Sequence, residues 1–147
     1  MPVIHHELIV PHSAEQMFVL VNNIPDYPQF LPYCKSSQIL SQAENEVRAT
    51  LVLAGGGFQK SFSTCNRLHP FKMIEIKLLD GPFRQLEGFW RFEALTHGCK
   101  VSLDLEFEFS GKLLALAFGP VFNQVANTLV EAFRKRAEVV YGQPKHA

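Results

Sequence analysis

Three carboxylates stand at alternate positions late in the chain: Asp104, Glu106 and Glu108. Spaced by two, they share one face of an extended segment. Paired carboxylates serve general acid–base chemistry where a buried site pulls their pKa values apart. The intervening residues argue against that here. Val101, Leu103, Leu105, Phe107 and Phe109 take the opposite face, so the acids lie on the wet side of a half-buried strand. His5 and His6 resemble a metal pair, but strand neighbours point to opposite faces and cannot hold one ion together. His12, His69 and His97 fall at element ends and are expected to face water. Asp80, Arg84, Glu87 and Arg91 could bind a head group at a pocket mouth, or be ordinary surface ion pairs. There is no G-x-S-x-G elbow and no H-E-x-x-H. Gly55-Gly56-Gly57 lacks the Gly-Lys-Ser/Thr of a phosphate loop. The expectation is a protein without catalysis, metal or cofactor.

Composition agrees with a binding role. The chain of 147 residues is long enough for one domain with a real core, and 47% of it is apolar. Basic and acidic residues balance at 14 each, which excludes nucleic-acid binding by bulk charge and leaves only a local patch. Thirteen phenylalanines against one tryptophan suit a wide core or a greasy cavity. Cys34, Cys65 and Cys99 are odd in number and far apart, and read as reduced thiols in a cytoplasmic protein. No signal peptide is visible, and the longest apolar run, Leu113–Phe122, is too short to span a bilayer.

The elements that would position these residues follow from periodicity and punctuation. Val3–Val10 reads as a strand ended by Pro11. Ser13-Ala14-Glu15-Gln16 is a capping box that opens a helix over Ala14–Asn22, burying Met17, Phe18 and Val21. Asp26 is placed to cap a short helical turn through Tyr27–Leu31, stopped by Pro32. The period then becomes two. Lys35–Leu40 reads as an edge strand, followed by Glu46–Ala54, Phe58–Leu68, Lys72–Leu79, Leu86–Leu95 and Val101–Phe109. Ile74, Ile76 and Leu78 share a face, as do Leu86, Gly88, Trp90, Phe92 and Ala94. Pro120 splits the last stretch into a short helix over Lys112–Phe118 and a long one from Pro120 to about Val140. The long helix carries Phe122, Val125, Leu129, Phe133 and Val140 at helical spacing, with Gly142 as its stop and Pro144 beyond. The order β-α-α-β6-α is α+β: a curled antiparallel meander with one long C-terminal helix to cover its concave side.

That arrangement defines a candidate pocket. Trp90, Phe92, Leu105 and Phe107 would line it from the sheet, and Phe118, Phe122, Val125 and Leu129 from the helix. Phe30, Leu31 and Phe83 would stand at its mouth. The plain alternative is that these residues pack on one another as core.

The segments YPQFLPYC (Tyr27–Cys34), DGPFRQLEGFWRF (Asp80–Phe92), FEFSGKLLALAFGPVF (Phe107–Phe122) and the ending LVEAFRKRAEVVYG resemble the polyketide cyclase/coenzyme Q-binding family. The resemblance covers essentially the whole chain and implies the START-like helix-grip fold. It also implies activities. Mitochondrial-type members bind ubiquinone and support respiration; bacterial members of the ribosome association toxin type block the joining of ribosomal subunits. The cyclase name comes from remote relatives and does not imply an enzyme. The expected function is binding of ubiquinone or a similar lipid, with ribosome association as the alternative and a cyclase-type enzyme as a third. Expected partners are a hydrophobic small molecule, the ribosome, an antitoxin and, transiently, a membrane surface. Lys112, Arg134, Lys135 and Arg136 are the candidate contacts to ribosomal RNA. Cations late in a helix also favour its dipole, which is the plainer account of the last three.

Overall fold

The computed structural model describes residues 3–55 and 57–142. Seven strands form one antiparallel sheet: β1 (Val3–Val10), β2 (Cys34–Ala43), β3 (Glu46–Gly55), β4 (Phe58–His69), β5 (Met73–Asp80), β6 (Phe83–Leu95) and β7 (Gly98–Phe109). The order β1-β7-β6-β5-β4-β3-β2 is a meander, with β1 returning beside β7. Helix α1 (Ala14–Asn22) and a 3-10 helix (Ile24–Gln29) link β1 to β2 across the open side of the sheet. Helix α2 (Lys112–Ala117) leads into α3 (Gly119–Tyr141), which fills the concavity. This is the element order that the periodicity predicts and the helix-grip architecture that the resemblance implies.

Local chemistry explains the elements. Ser13 Oγ accepts from the Gln16 amide at 3.0 Å and Gln16 Oε1 accepts from the Ser13 amide at 2.9 Å, completing the capping box of α1. Pro120 sits in the first turn of α3, where its missing N–H costs nothing, and Gly142 ends the helix with a positive φ of 78° that favours glycine. Pro144 and Gly56 lie outside the described residues. Gly88 lets β6 and β7 approach each other: a Cβ there would fall 2.2 Å from the Asp104 carbonyl oxygen.

Four sequence expectations change. Asp26 does not cap the proline-rich turn. The 3-10 helix starts at Ile24, and Asp26 lies inside it, accepting from Asn23 Nδ2 at 2.8 Å. The buried stripe of α3 runs Phe122, Ala126, Val130, Phe133, Ala137, alongside Val125, because a true period of 3.6 drifts off the Leu129–Val140 line. Leu129 is half-buried, and Val140 is exposed where the helix runs past the sheet. His12 is buried, not wet: α3 folds back over it, with the Tyr141 ring 5.7 Å away and the Tyr141 hydroxyl donating to the Gln16 carbonyl at 2.8 Å. Ala94 is exposed near the end of β6.

Candidate functional site

Alternation by two delivers one residue in two to the concave face. There β3 contributes Ala49, Leu51 and Leu53; β4 Phe62, Thr64 and Asn66; β5 Ile74 and Ile76. Strands β6 and β7 add Leu86, Trp90, Leu103 and Leu105. Helix α3 lays Phe122, Val125, Ala126 and Leu129 across them, and Val21, Ile24, Tyr27 and Leu31 close the side. Between these walls is a cavity of about 100 Å³. A cavity of about 150 Å³ takes a benzene ring, and drug-sized ligands occupy about 300 Å³ or more. A lipid or quinone therefore enters only if a wall moves.

Six of the eleven expected lining residues border this space: Leu31, Trp90, Leu105, Phe122, Val125 and Leu129. The other five pack elsewhere. Phe92 meets Phe18 of α1 edge-on at 5.7 Å. Phe83, Phe107 and Phe118 join Phe109 and Phe122 in an aromatic cluster that plugs one end of the concavity, with centroid spacings such as 4.8 Å for Phe83–Phe122 and Phe107–Phe122. Phe30 meets Phe133 edge-on at 5.2 Å and lies under the Arg136 guanidinium, also at 5.2 Å. Four of these are core and Phe30 packs half-buried against it, because a ring on the correct face still fills whatever gap its neighbours leave.

The polar members of the wall were not legible as a site. Thr64 and Asn66 follow Phe62 at i+2 and i+4 on β4, and that spacing alone points them inward. Thr64 Oγ1 donates to Asn66 Oδ1 at 2.9 Å. Tyr27 donates its hydroxyl to the Val21 carbonyl, and burial pushes its phenol far above the ordinary range, so it stays neutral.

The cations do not make one patch. Lys112 sits in α2, while Arg134–Arg136 lie more than a dozen residues into α3, roughly 20 Å along the helix at about 1.5 Å per residue. Arg134 is held by Glu131 and Glu138, the latter at 2.7 Å, which draws the Glu131 carboxyl below its usual range. Arg136 donates to Gln29 Oε1 at 3.0 Å and lies 3.9 Å from Asp26, so it clasps the 3-10 helix to α3. Lys112 and Lys135 are exposed and form no ion pair among the described residues.

The acids, and the histidines other than buried His12, are surface or partly exposed groups. His5 Nδ1 lies 2.6 Å from Asp104 Oδ1 on the outer face, and His6 faces α3, with Nε2 3.1 Å from Asn127 Oδ1. Arg84 pairs with Glu108 at 3.3 Å, and Arg91 covers the Phe89 ring at 4.7 Å, so Asp80, Arg84, Glu87 and Arg91 do not converge on the cavity. Burial pushes the Cys34 and Cys99 thiols to about 11, which leaves them unreactive at neutral pH. Among the described residues no helix is long and apolar enough to cross a membrane.

Residues 10–134 match the family described as polyketide cyclase / dehydrase and lipid transport. The chain belongs to this family. Within the polyketide cyclase and lipid transport family it is 45% identical, over 97% of its length and 100% of the relative's, to the ribosome association toxin RatA of Vibrio cholerae. It is 28% identical to the mitochondrial coenzyme Q-binding protein COQ10 homolog B of Xenopus laevis, over 92% of this chain and 57% of that one. A solved structure from Thermus thermophilus superposes with a TM-score of 0.82 at 17% identity, covering 94% of this chain and 98% of that one, which shows the shared fold.

Proposed function

We propose that the protein is a ribosome association toxin, acting in the cytoplasm to keep ribosomal subunits apart, without catalysis of its own. The carrying observation is the 45% identity that runs end to end along a relative of that name. This puts the ribosome ahead of the lipid-first reading that the Phe-rich concave face suggests. The concave face is closed by α3, so contact with ribosomal RNA would use the outer surface. Of the four candidate cations, Lys112 and Lys135 are the two without an ion pair among the described residues and so able to meet phosphates, and two such contacts on a neutral protein give a weak, salt-sensitive affinity. The test is the sedimentation of ribosomes in sucrose gradients with added protein. Wild type should shift joined ribosomes to subunits at low salt, and a Lys112→Glu/Lys135→Glu variant should do so less. An unchanged profile with wild type refutes the reading.

A second reading is favoured by the cavity itself. Its wall is apolar apart from three residues, Trp90 forms part of it, and a relative is named as binding coenzyme Q. Binding of a neutral hydrophobic molecule, such as a quinone, would require a wall of the cavity to move. If such a ligand buries about 400 Å² of apolar surface, the gross gain is roughly 10 kcal/mol at about 25 cal/mol/Å². Association and ordering take several kcal/mol of that, leaving micromolar to millimolar affinity. Saturable quenching of Trp90 by decyl-ubiquinone is the expected result, and its absence overturns this reading.

A further inference from the structure

We propose that Asn66, braced by Thr64, donates a hydrogen bond from its Nδ2 amide to the head-group oxygen of a neutral, otherwise apolar ligand. The inference rests on the ligand-binding reading above and names the chemistry that cavity selects.

Hydrogen-bond accounting carries it. Asn66 stands between Val47 of β3 and Ile76 of β5, and Thr64 between Ala49 and Leu78, so both polar side chains enter the cavity from among apolar cross-strand neighbours. Polar groups set in an apolar wall weaken a fold unless something bonds them. Thr64 has one hydroxyl hydrogen, and it goes to Asn66 Oδ1 at 2.9 Å. Tyr27 has one, and it goes to the Val21 carbonyl. Trp90 brings one indole N–H, which has no partner among the described residues, and the other wall residues are hydrocarbon or aromatic ring. Asn66 Nδ2, with two hydrogens, has no partner among the described residues; with the single Trp90 indole N–H it makes up the donors this wall leaves uncommitted, and it alone is held in place by a neighbouring side chain, Thr64. The opposite face of the same strands shows the contrast: Thr50 and Ser63 hydroxyls lie 2.6 Å apart and satisfy each other.

Charge narrows the ligand further. No ionisable acid or base other than the neutral Tyr27 phenol lines the cavity. A carboxylate or phosphate inside would be buried without a counter-ion, which disfavours fatty acids and phospholipid heads. The fitting class is a hydrocarbon-rich molecule with a carbonyl or alkoxy oxygen and no charge.

The experiment is displacement of N-phenyl-1-naphthylamine fluorescence from wild type and Asn66→Leu by two probes of similar tail, decyl-ubiquinone and dodecylbenzene. Leucine keeps the size of asparagine and removes its donor. Asn66→Leu should weaken decyl-ubiquinone about three- to tenfold, the worth of one hydrogen bond, while dodecylbenzene binds as well or better. Decanoate at neutral pH should displace the dye from neither protein. Equal decyl-ubiquinone affinity in the two proteins, or parallel loss for both probes, overturns the role of Asn66 and leaves the cavity reading standing. Wild type that binds neither dye nor probes overturns both. Should Asn66→Leu not fold, Thr64→Val reads the same comparison: losing the brace should cost decyl-ubiquinone affinity and spare dodecylbenzene, and no selective loss overturns the proposal.

Discussion

Ala126→Leu tests whether the space between sheet and helix is empty. Ala126 is 2% exposed on α3 and its methyl borders the cavity of about 100 Å³. Leucine adds three carbons into that space without disturbing the helix, for which it is a good former. Burying them is worth about 2.4 kcal/mol at about 0.8 kcal/mol each. Filling the void gives an independent figure of similar size, about 2.4 kcal/mol at roughly 24 cal/mol per Å³. The two figures describe one effect and are not summed, and imperfect fit takes back about 1 kcal/mol or more. A net gain of about 1 kcal/mol is expected, raising the melting temperature by roughly 2–4 °C for a chain of this size. Ala137→Leu is the control. Ala137 is fully buried on the same helix but does not border the cavity, so the same substitution should overpack and cost about 1–3 kcal/mol. Thermal denaturation gives both numbers, and Trp90 quenching by decyl-ubiquinone gives the functional counterpart, which Ala126→Leu should abolish. If Ala126→Leu destabilises as much as Ala137→Leu, the space is not empty. If it leaves quinone binding intact, the ligand does not enter there.

Three further outcomes are expected. Phe133→Ala should lose about 3–5 kcal/mol in denaturant unfolding, because Phe133 is fully buried between Tyr27, Phe30 and Trp90; a loss under about 1 kcal/mol would contradict that packing. Gly88→Ala should lower the melting temperature markedly by forcing β6 from β7, since the new methyl meets a backbone oxygen at 2.2 Å; an unchanged melting temperature would refute the close approach. Hydrogen bonding to Asp104 raises the His5 pKa above its ordinary 6.5, so this pair's contribution to stability is full below about pH 6.5 and fades as pH rises through the folded-state value. An NMR titration of His5 should show a midpoint above 6.5 that falls back in Asp104→Asn, and identical midpoints would dispose of the pair.

Most of the fold was written in local patterns. Ser13 and Gln16, the Val101–Phe109 alternation, Pro120 and Gly142 each act through the backbone of their own neighbourhood, so each was readable without knowing what lay across the chain. Periodicity also told which face of each strand is greasy, and so placed Trp90, Leu105 and Phe122 at the concave side. It does not measure gaps. Whether a ring borders a void or closes it depends on partners far away in sequence. Phe83, Phe107 and Phe118 thus became a plug, and Phe30 an anchor on Phe133. The cations show the same division. Lys112, Arg134, Lys135 and Arg136 read alike as charges, but an acid four residues away and Gln29 across 107 positions committed two of them. His12 was buried by Tyr141 from the far end of the chain. Thr64 and Asn66 were inward by spacing alone, yet only the folded sheet and α3 set them among hydrocarbon, with the Asn66 amide left unpaired. Sequence determines what each residue offers to a face; tertiary structure decides what stands opposite, because packing and hydrogen-bond partners are set by contacts the chain makes at long range.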